Sequence, residues 1–216
     1  MDADAPRLDP RRRRLIAAAA LVAVGASVVG GALAPYLLVH HPVLLLALAP
    51  EPRHVVLATP LLPGAVIIPL TVLRRVLGLV ALYLFGWAYG EGAIRFIEGR
   101  SGRMGRFLRT VQRYLARWGA WLVLVLPMPS VVTLAGAGNV RLASAVPAIV
   151  VGQTFWVTLT WAFGDLLTPF VRPVLDWLSA HVLEATLVTI LAVTVFQLVT
   201  LWRRRRAARA PTPPSE

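Results

Sequence analysis

Long apolar runs alternate along the chain with short stretches rich in proline or arginine. Four runs are long enough to cross a hydrocarbon core, which takes about 20 apolar residues in a helix. They are Leu15–Val39, Val76–Ile97, Leu142–Leu167 and Val182–Trp202. The pattern predicts an all-α polytopic membrane protein with four full spans.

The apolar stretch Trp118–Arg141 is broken in its middle by Pro127 and Pro129, and Gly136 and Gly138 loosen it further on. Each proline removes a backbone hydrogen bond, and unpaired backbone groups at membrane depth are tolerated only inside protein or beside water. The legs on either side are each too short to span. The pattern therefore predicts a re-entrant helical hairpin that returns to the side it came from.

The stretch Pro42–Leu73 is also apolar, and prolines interrupt it repeatedly. It predicts a second re-entrant hairpin, with the charged segment Pro50–His54 at its turn. If that turn lies at depth, Glu51 and Arg53 are costly intramembrane charges and candidates for lining a cavity. If the turn lies at the surface, they are ordinary loop residues.

Composition supports a membrane protein, with 57% hydrophobic residues and a mean hydropathy of +0.70. There are no cysteines, which excludes disulfides and thiolate metal sites. His40 and His41 are adjacent, but they lack companion carboxylates and fit an interfacial position better than a metal site. No metal or cofactor is predicted.

The net charge of +12 comes from arginines that flank the apolar runs, which indicates anionic lipid headgroups as partners and not nucleic acid. In the four-span topology, 18 of the 22 arginines lie on one side. The positive-inside rule makes that side cytoplasmic, together with both termini. The two hairpins then enter from opposite leaflets, and their tips can meet near the midplane, where transporters often build their sites.

The chain divides into a basic cytoplasmic arm (1–14), a single membrane domain (15–202) and a basic, proline-rich tail (203–216). An alternative interpretation of the N-terminal region is a cleaved signal peptide, because arginines precede an apolar run and Ala32-Leu33-Ala34. Residues 100–118 combine arginines with an apolar helical stripe, which predicts an amphipathic helix in the membrane interface.

Small and polar residues on the predicted spans suggest contacts between helices. Gly86 and Gly90 are spaced for close helix packing, and Gln153 can bond across helices. Glu91 and Arg95, four residues apart, can pair on one helix.

The order of these motifs resembles the DedA family, also called VTT or SNARE-associated Golgi proteins, over about residues 42–167. The similar motifs are Tyr83-x-x-Gly86-x-x-x-Gly90, Arg117-Trp118-Gly119, the proline turn at 127–129, Ala135-Gly136, and Gly152-x-x-x-Trp156 ending at Gly164. The family hairpin usually carries arginines beside its proline. Here the stretch Leu122–Val140 contains no arginine, and Arg141 is the nearest one to that stretch.

The resemblance implies a protein of the bacterial plasma membrane that moves a lipid or lipid phosphate, such as undecaprenyl phosphate, between leaflets, with protons as a coupling ion. Candidate headgroup and proton contacts are Glu51, Arg53, Glu91, Arg95 and Arg141. The alternative function is a non-transporting membrane scaffold for envelope homeostasis. An enzyme is not predicted, because no nucleophile, base or metal cluster stands out, and homo-oligomerisation is left open.

Overall fold

The computed structural model describes residues 9–100, 118–138 and 140–209, with side chains except those of Pro10, Arg13, 91–100, Leu201 and 203–209. Over these residues the regular structure is entirely helical. The helices are α1 (Pro10–Ala32), α2 (Ala34–His40), α3 (Pro42–Leu48), α4 (Pro52–Ala58), α5 (Gly64–Arg100), α6 (described over residues 118–125), α7 (Pro129–Ala137), α8 (Leu142–Leu166), α9 (Thr168–Ala180) and α10 (Val182–Arg209).

Four of the described helices are long and apolar enough to cross a membrane. Their candidate spans are Arg14–Ala32, Gly64–Gly90, Leu142–Leu166 and Val182–Thr200. The predicted number of spans and the all-α, multi-pass class are therefore confirmed. The predicted amphipathic helix at 100–118 falls almost entirely outside the described residues.

The first span is shorter than predicted. Helix α1 ends at Ala32, and α2 begins at Ala34 with Pro35 in its first turn. Proline has no backbone N–H to continue the helical ladder, so the chain restarts there instead of running on to Val39.

The predicted start of the second span, at Val76, was wrong. Helix α5 begins at Gly64 and accommodates Pro69 within it. Membrane helices tolerate a proline where neighbouring groups satisfy the freed backbone, and this one lies only a few residues from the helix start. Arg74 and Arg75 consequently lie inside the candidate span Gly64–Gly90, not at its outer end.

Within the stretch predicted as the first hairpin, the helix is interrupted at the turn Ala49–Glu51, between α3 and α4. We call this interruption the first break. The Nδ1 atom of buried His54 donates across this turn to the carbonyl oxygen of Ala49 at 2.6 Å. This broken element is shorter than predicted, because α4 ends at Ala58 and α5 has already begun at Gly64.

The second break lies at residues 126–128, where α6 has ended and α7 begins at Pro129. The prediction that Pro127 and Pro129 stop helix propagation is confirmed. A Cβ atom built on Gly119 would lie 2.6 Å from the side chain of Val140. The chain therefore turns back at the prolines, and the two ends of this segment meet.

Two buried clusters organise the helices. One joins α2, α3 and α4 to the start of α5 and to Val171 and Leu175 of α9. The other joins the middle of α5 to α6, α7 and α8. Helices α1 and α10 instead leave large apolar side chains exposed, among them Leu21, Leu187 and Phe196, as expected of helices that face lipid.

Candidate functional site

A cavity of about 1130 Å³ lies where the two breaks between helices, at Ala49–Glu51 and at residues 126–128, face each other. This volume is slightly above the usual range for small-molecule sites, roughly 300–1,000 Å³. Both turns line it, and α1, α5, α8 and α10 complete its walls. The lining residues are Ala23, Val24, Ser27, Val28, Gly31, Pro50–Arg53, Arg74, Arg75, Gly78, Leu79, Leu82, Leu126–Pro129, Gln153, Trp156, Thr160, Ala192, Val193, Phe196 and Gln197.

The cavity walls are mostly apolar, and their charges are carried by Glu51, Arg53, Arg74 and Arg75. Three of these four residues are cationic. A charge placed at membrane depth costs on the order of 2.5–3.5 kcal/mol even on insertion scales. Such a charge is therefore usually paired, hydrated or part of a functional site. The excess of positive charge suits an anionic group on an otherwise apolar molecule.

Glu51 and Arg53 form an ion pair, with 2.7 Å between Arg53 Nη2 and Glu51 Oε2. It is the one ion pair among the described side chains. Arg53 is 66% exposed and Glu51 43% exposed, so both remain accessible from the cavity. These two predicted site residues therefore line a cavity, and the depth of their turn in the membrane stays a prediction.

Arg74 is half-buried and donates hydrogen bonds to the end of α3 and to the middle of α1. Its Nε donates to the carbonyl oxygen of Ala47 at 2.9 Å, and its Nη2 donates to that of Ala23 at 3.0 Å. Carbonyl groups at a helix C-terminus have no partner within the helix. Arg74 thus supplies the hydrogen bonds that the interrupted helix α3 lacks.

Arg75 and Gln153 connect the two breaks. The Nε atom of Arg75 donates to the carbonyl oxygen of Pro50, in the first turn, at 2.6 Å, and its Nη1 donates to Gln153 Oε1 at 3.2 Å. The amide nitrogen of Gln153 donates to the carbonyl oxygen of Pro127, in the second turn, at 2.8 Å. A continuous chain of hydrogen bonds therefore runs from one turn to the other.

A second side chain from α8 supports the proline turn. Trp156 Nε1 donates to the carbonyl oxygen of Val125 at 2.9 Å, at the end of α6, where the helical ladder stops. With Gln153 it satisfies backbone groups that would otherwise be unpaired. The threonines nearby act differently, because Thr154 and Thr160 bond to carbonyls of their own helix.

Glycines allow the closest helix contacts around the cavity. A Cβ atom on Gly86 would overlap the carbonyl oxygen of Thr133 in α7, and one on Gly90 would overlap Ala137. Conversely, a Cβ atom on Gly136 of α7 would overlap the backbone of Tyr83 in α5. The predicted small-residue contact is confirmed and its partner is α7, while Gly138 caps the end of that helix.

Arg141 lies away from this cavity. It is exposed, precedes α8, and lines a separate pocket of about 270 Å³. In that pocket the hydroxyl of Tyr83 donates to the carbonyl oxygen of Val140. The structure therefore brings Glu51 and Arg53 together and leaves Arg141 elsewhere. The side chains of Glu91 and Arg95 lie outside the described residues.

Sequence reasoning missed Arg74 and Arg75. The signal was present, because an adjacent arginine pair interrupts an apolar stretch that runs from Gly64 to Gly90. Treating Pro69 as a helix breaker placed both residues beyond the end of the span.

The histidines make local contacts, with His40 stacked on Tyr36 and His181 on Trp177. Within the described part of the chain, no three His, Asp or Glu residues lie close enough to hold a metal ion.

No protein-family model, curated protein or solved structure matches the chain.

Proposed function

We propose that this protein moves a lipid or lipid phosphate between the two leaflets of a membrane. The observation that carries the proposal is the cavity shared by the two chain breaks, with apolar walls and a cluster of three arginines and one glutamate. A lipid has this same division, with apolar chains and a polar, often anionic headgroup. The predicted resemblance to the DedA family points to the same class of function.

The breaks shorten the distance that a headgroup must cross through hydrocarbon. In this proposal the α3–α4 and α6–α7 segments are re-entrant hairpins that enter from opposite leaflets, so that their turns meet within the hydrocarbon layer. Charged and backbone polar groups at the turns then replace the water that a headgroup loses on entering. The two turns are joined by hydrogen bonds through Arg75 and Gln153, which supports this arrangement.

The lipid tails have an apolar path beside the cavity. Helices α1 and α10 contribute Val24, Val28, Val193 and Phe196 to its lining, and the same two helices expose large apolar side chains on their outer faces. A tail can therefore stay in contact with hydrocarbon or with these helices while the headgroup crosses inside.

Glu51 is the candidate proton-exchanging group of this mechanism. Its carboxylate faces the cavity and pairs with Arg53. Protonation would remove the negative charge, weaken this pair and free Arg53 for an anionic headgroup. Headgroup entry and proton uptake would then be linked at a single ion pair.

The distribution of arginines predicts the orientation of the protein in the membrane. With Arg74 and Arg75 inside a span and Arg53 at the first turn, the arginines assigned to the outer side are reduced to Arg172. The positive-inside rule then favours a cytoplasmic location for both termini. A reporter fused to the C-terminus should be active only in its cytoplasmic form, and a periplasmic signal would reject the topology.

Reconstitution tests the function itself. The full chain in vesicles should speed the exposure of a fluorescent phospholipid or lipid phosphate to a membrane-impermeant quencher, relative to protein-free vesicles. A rate equal to that of protein-free vesicles, for neutral, zwitterionic and anionic lipids alike, would reject translocation and favour the membrane scaffold.

A further inference from the structure

We propose that Arg74 and Arg75 form an oxyanion-binding subsite in the cavity, selective for the anionic headgroup of an amphiphile. This inference rests on the proposed function and deepens it, because it names the headgroup chemistry and the residues that bind it. It moves the main headgroup contact from the arginines that the sequence suggested to a pair in the middle of α5.

The first argument is that, among the described side chains, neither of these two arginines forms an ion pair with a carboxylate. The carboxylate in the cavity lining, Glu51, pairs with Arg53. Arg74 and Arg75 make their hydrogen bonds to backbone carbonyls and to the neutral amide of Gln153. Two adjacent cations inside an apolar span are therefore held in place by neutral groups, and the carboxylate that attracts Arg75, that of Glu51, is already paired with Arg53.

The second argument is that donors remain available after those hydrogen bonds are made. A guanidinium has five N–H bonds in a planar fork. Among the described contacts, Arg74 uses Nε and Nη2, and Arg75 uses Nε and Nη1. The Nη1 group of Arg74 and the Nη2 group of Arg75 keep N–H donors for a ligand. Paired forks of this kind suit the tetrahedral oxygens of a phosphate.

The third argument is that both side chains are fixed before any ligand arrives. Arg74 donates from Nε to the end of α3 and from Nη2 to α1. Arg75 donates from Nε to the first turn and from Nη1 to Gln153. An arginine that is already immobilised loses little rotamer freedom when an anion binds. The same bonds set both residues at the border of the cavity, where apolar walls strengthen electrostatic attraction by excluding water.

The apolar walls select the ligand further. A free phosphate ion would leave most of the lining uncovered, whereas an alkyl phosphate places its chain against α1 and α10 and its oxygens at the arginines. We therefore expect an alkyl phosphate to bind substantially more tightly than inorganic phosphate.

Binding to the purified full chain in maltoside micelles tests the subsite. Isothermal titration with dodecyl phosphate should show saturable binding that Arg75→Gln weakens by about tenfold or more, the loss expected for one charge-assisted contact. Arg172→Gln, which removes an exposed arginine of α9 outside the cavity, should bind within about twofold of the unmodified protein. Equal affinities in both variants would overturn the subsite, and equally tight binding of inorganic phosphate would overturn its selectivity for amphiphiles.

A measurement on the unsubstituted protein covers the case in which Arg75→Gln does not fold. Phenylglyoxal modifies accessible arginines, and mass spectrometry of the digested protein locates the modified sites. Dodecyl phosphate should protect Arg74 and Arg75 and leave Arg172 reactive. Protection of Arg141 in their place would overturn the assignment.

The subsite and the proposed function fail separately. Saturable binding at Arg74 and Arg75 without lipid movement in vesicles would reject translocation and keep the subsite. Lipid movement by a protein that shows no saturable binding of dodecyl phosphate would keep translocation and reject the subsite.

Discussion

At the scale of single residues, the site depends on side chains that replace missing backbone partners. Arg74, Arg75, Gln153 and Trp156 all donate to carbonyl oxygens at or near helix ends. A helix broken inside a membrane protein is stable only if such donors exist, because a buried carbonyl without a partner costs about 1–3 kcal/mol. The same side chains that stabilise the breaks therefore also shape the cavity.

Gln153 gives a direct test of this point. Replacing it by Leu keeps the volume but leaves the carbonyl of Pro127 unpaired and removes an acceptor from Arg75. We expect Gln153→Leu to lower the stability by about 1–3 kcal/mol, measured by thermal unfolding in detergent. Gln197→Leu is the matched control, because Gln197 is exposed on the α10 side of the cavity. Equal stability of the two variants would show that the bridge contributes nothing.

Glu51 and Arg141 separate the structural account from the sequence prediction. The sequence alone predicts that both contact the headgroup, whereas the structure places Glu51 in the cavity and Arg141 in a separate pocket. We expect Glu51→Gln to slow lipid movement in vesicles about tenfold or more, and Arg141→Gln to change it by less than about threefold; tenfold corresponds to about 1.4 kcal/mol. The reverse order of effects would move the transport route to the Arg141 pocket.

At the scale of helices, close packing of α5 against α7 sets the position of the proline turn. Gly86 and Gly90 let the two backbones approach, and Gly136 does the same from α7. The sequence could predict this contact because two small residues four apart place themselves on one helix face. It could not name the partner, since spacing within one helix carries no information about which helix packs there.

Gly86→Ala tests the close approach of these two helices. The added methyl group would overlap the carbonyl of Thr133, so α5 and α7 must separate, and we expect a loss of about 1–3 kcal/mol in unfolding free energy. Gly25→Ala is the control, because a Cβ atom there has nothing within 4 Å and alanine favours a helix. Unfolding titrations in denaturing detergent should separate the two variants. A Gly86→Ala protein as stable as Gly25→Ala would contradict the packing.

The helix boundaries also show where sequence reasoning stops. Length and hydropathy were enough to predict four spans, because a membrane demands about 20 apolar residues in each. Pro69 misled the prediction, because the cost of a proline depends on neighbours that only the folded chain provides. That single boundary moved Arg74 and Arg75 out of the span, and the core of the candidate site was lost with them.

At the scale of the whole molecule, two buried clusters flank the cavity lined by both chain breaks. One cluster packs around the first break and the other around the second. Helices α1 and α10 line part of the cavity and also expose large apolar side chains. The side chains around the two breaks are thus packed in buried clusters. The α1 and α10 side of the cavity is formed by two helices with few buried residues. We therefore expect ligands to enter beside α1 and α10.

If the lipid crosses through the cavity, blocking the cavity chemically must stop lipid movement. The chain has no cysteine, so Ser27→Cys in α1 introduces a single, nearly isosteric thiol into the cavity lining. Ser179→Cys places the same thiol on the exposed part of α9. Both proteins would be labelled to completion with a bulky maleimide, verified by mass, and reconstituted for the quencher assay. We expect labelled Ser27→Cys to fall to the rate of protein-free vesicles and labelled Ser179→Cys to keep its unlabelled rate. Undiminished lipid movement by fully labelled Ser27→Cys would contradict this route.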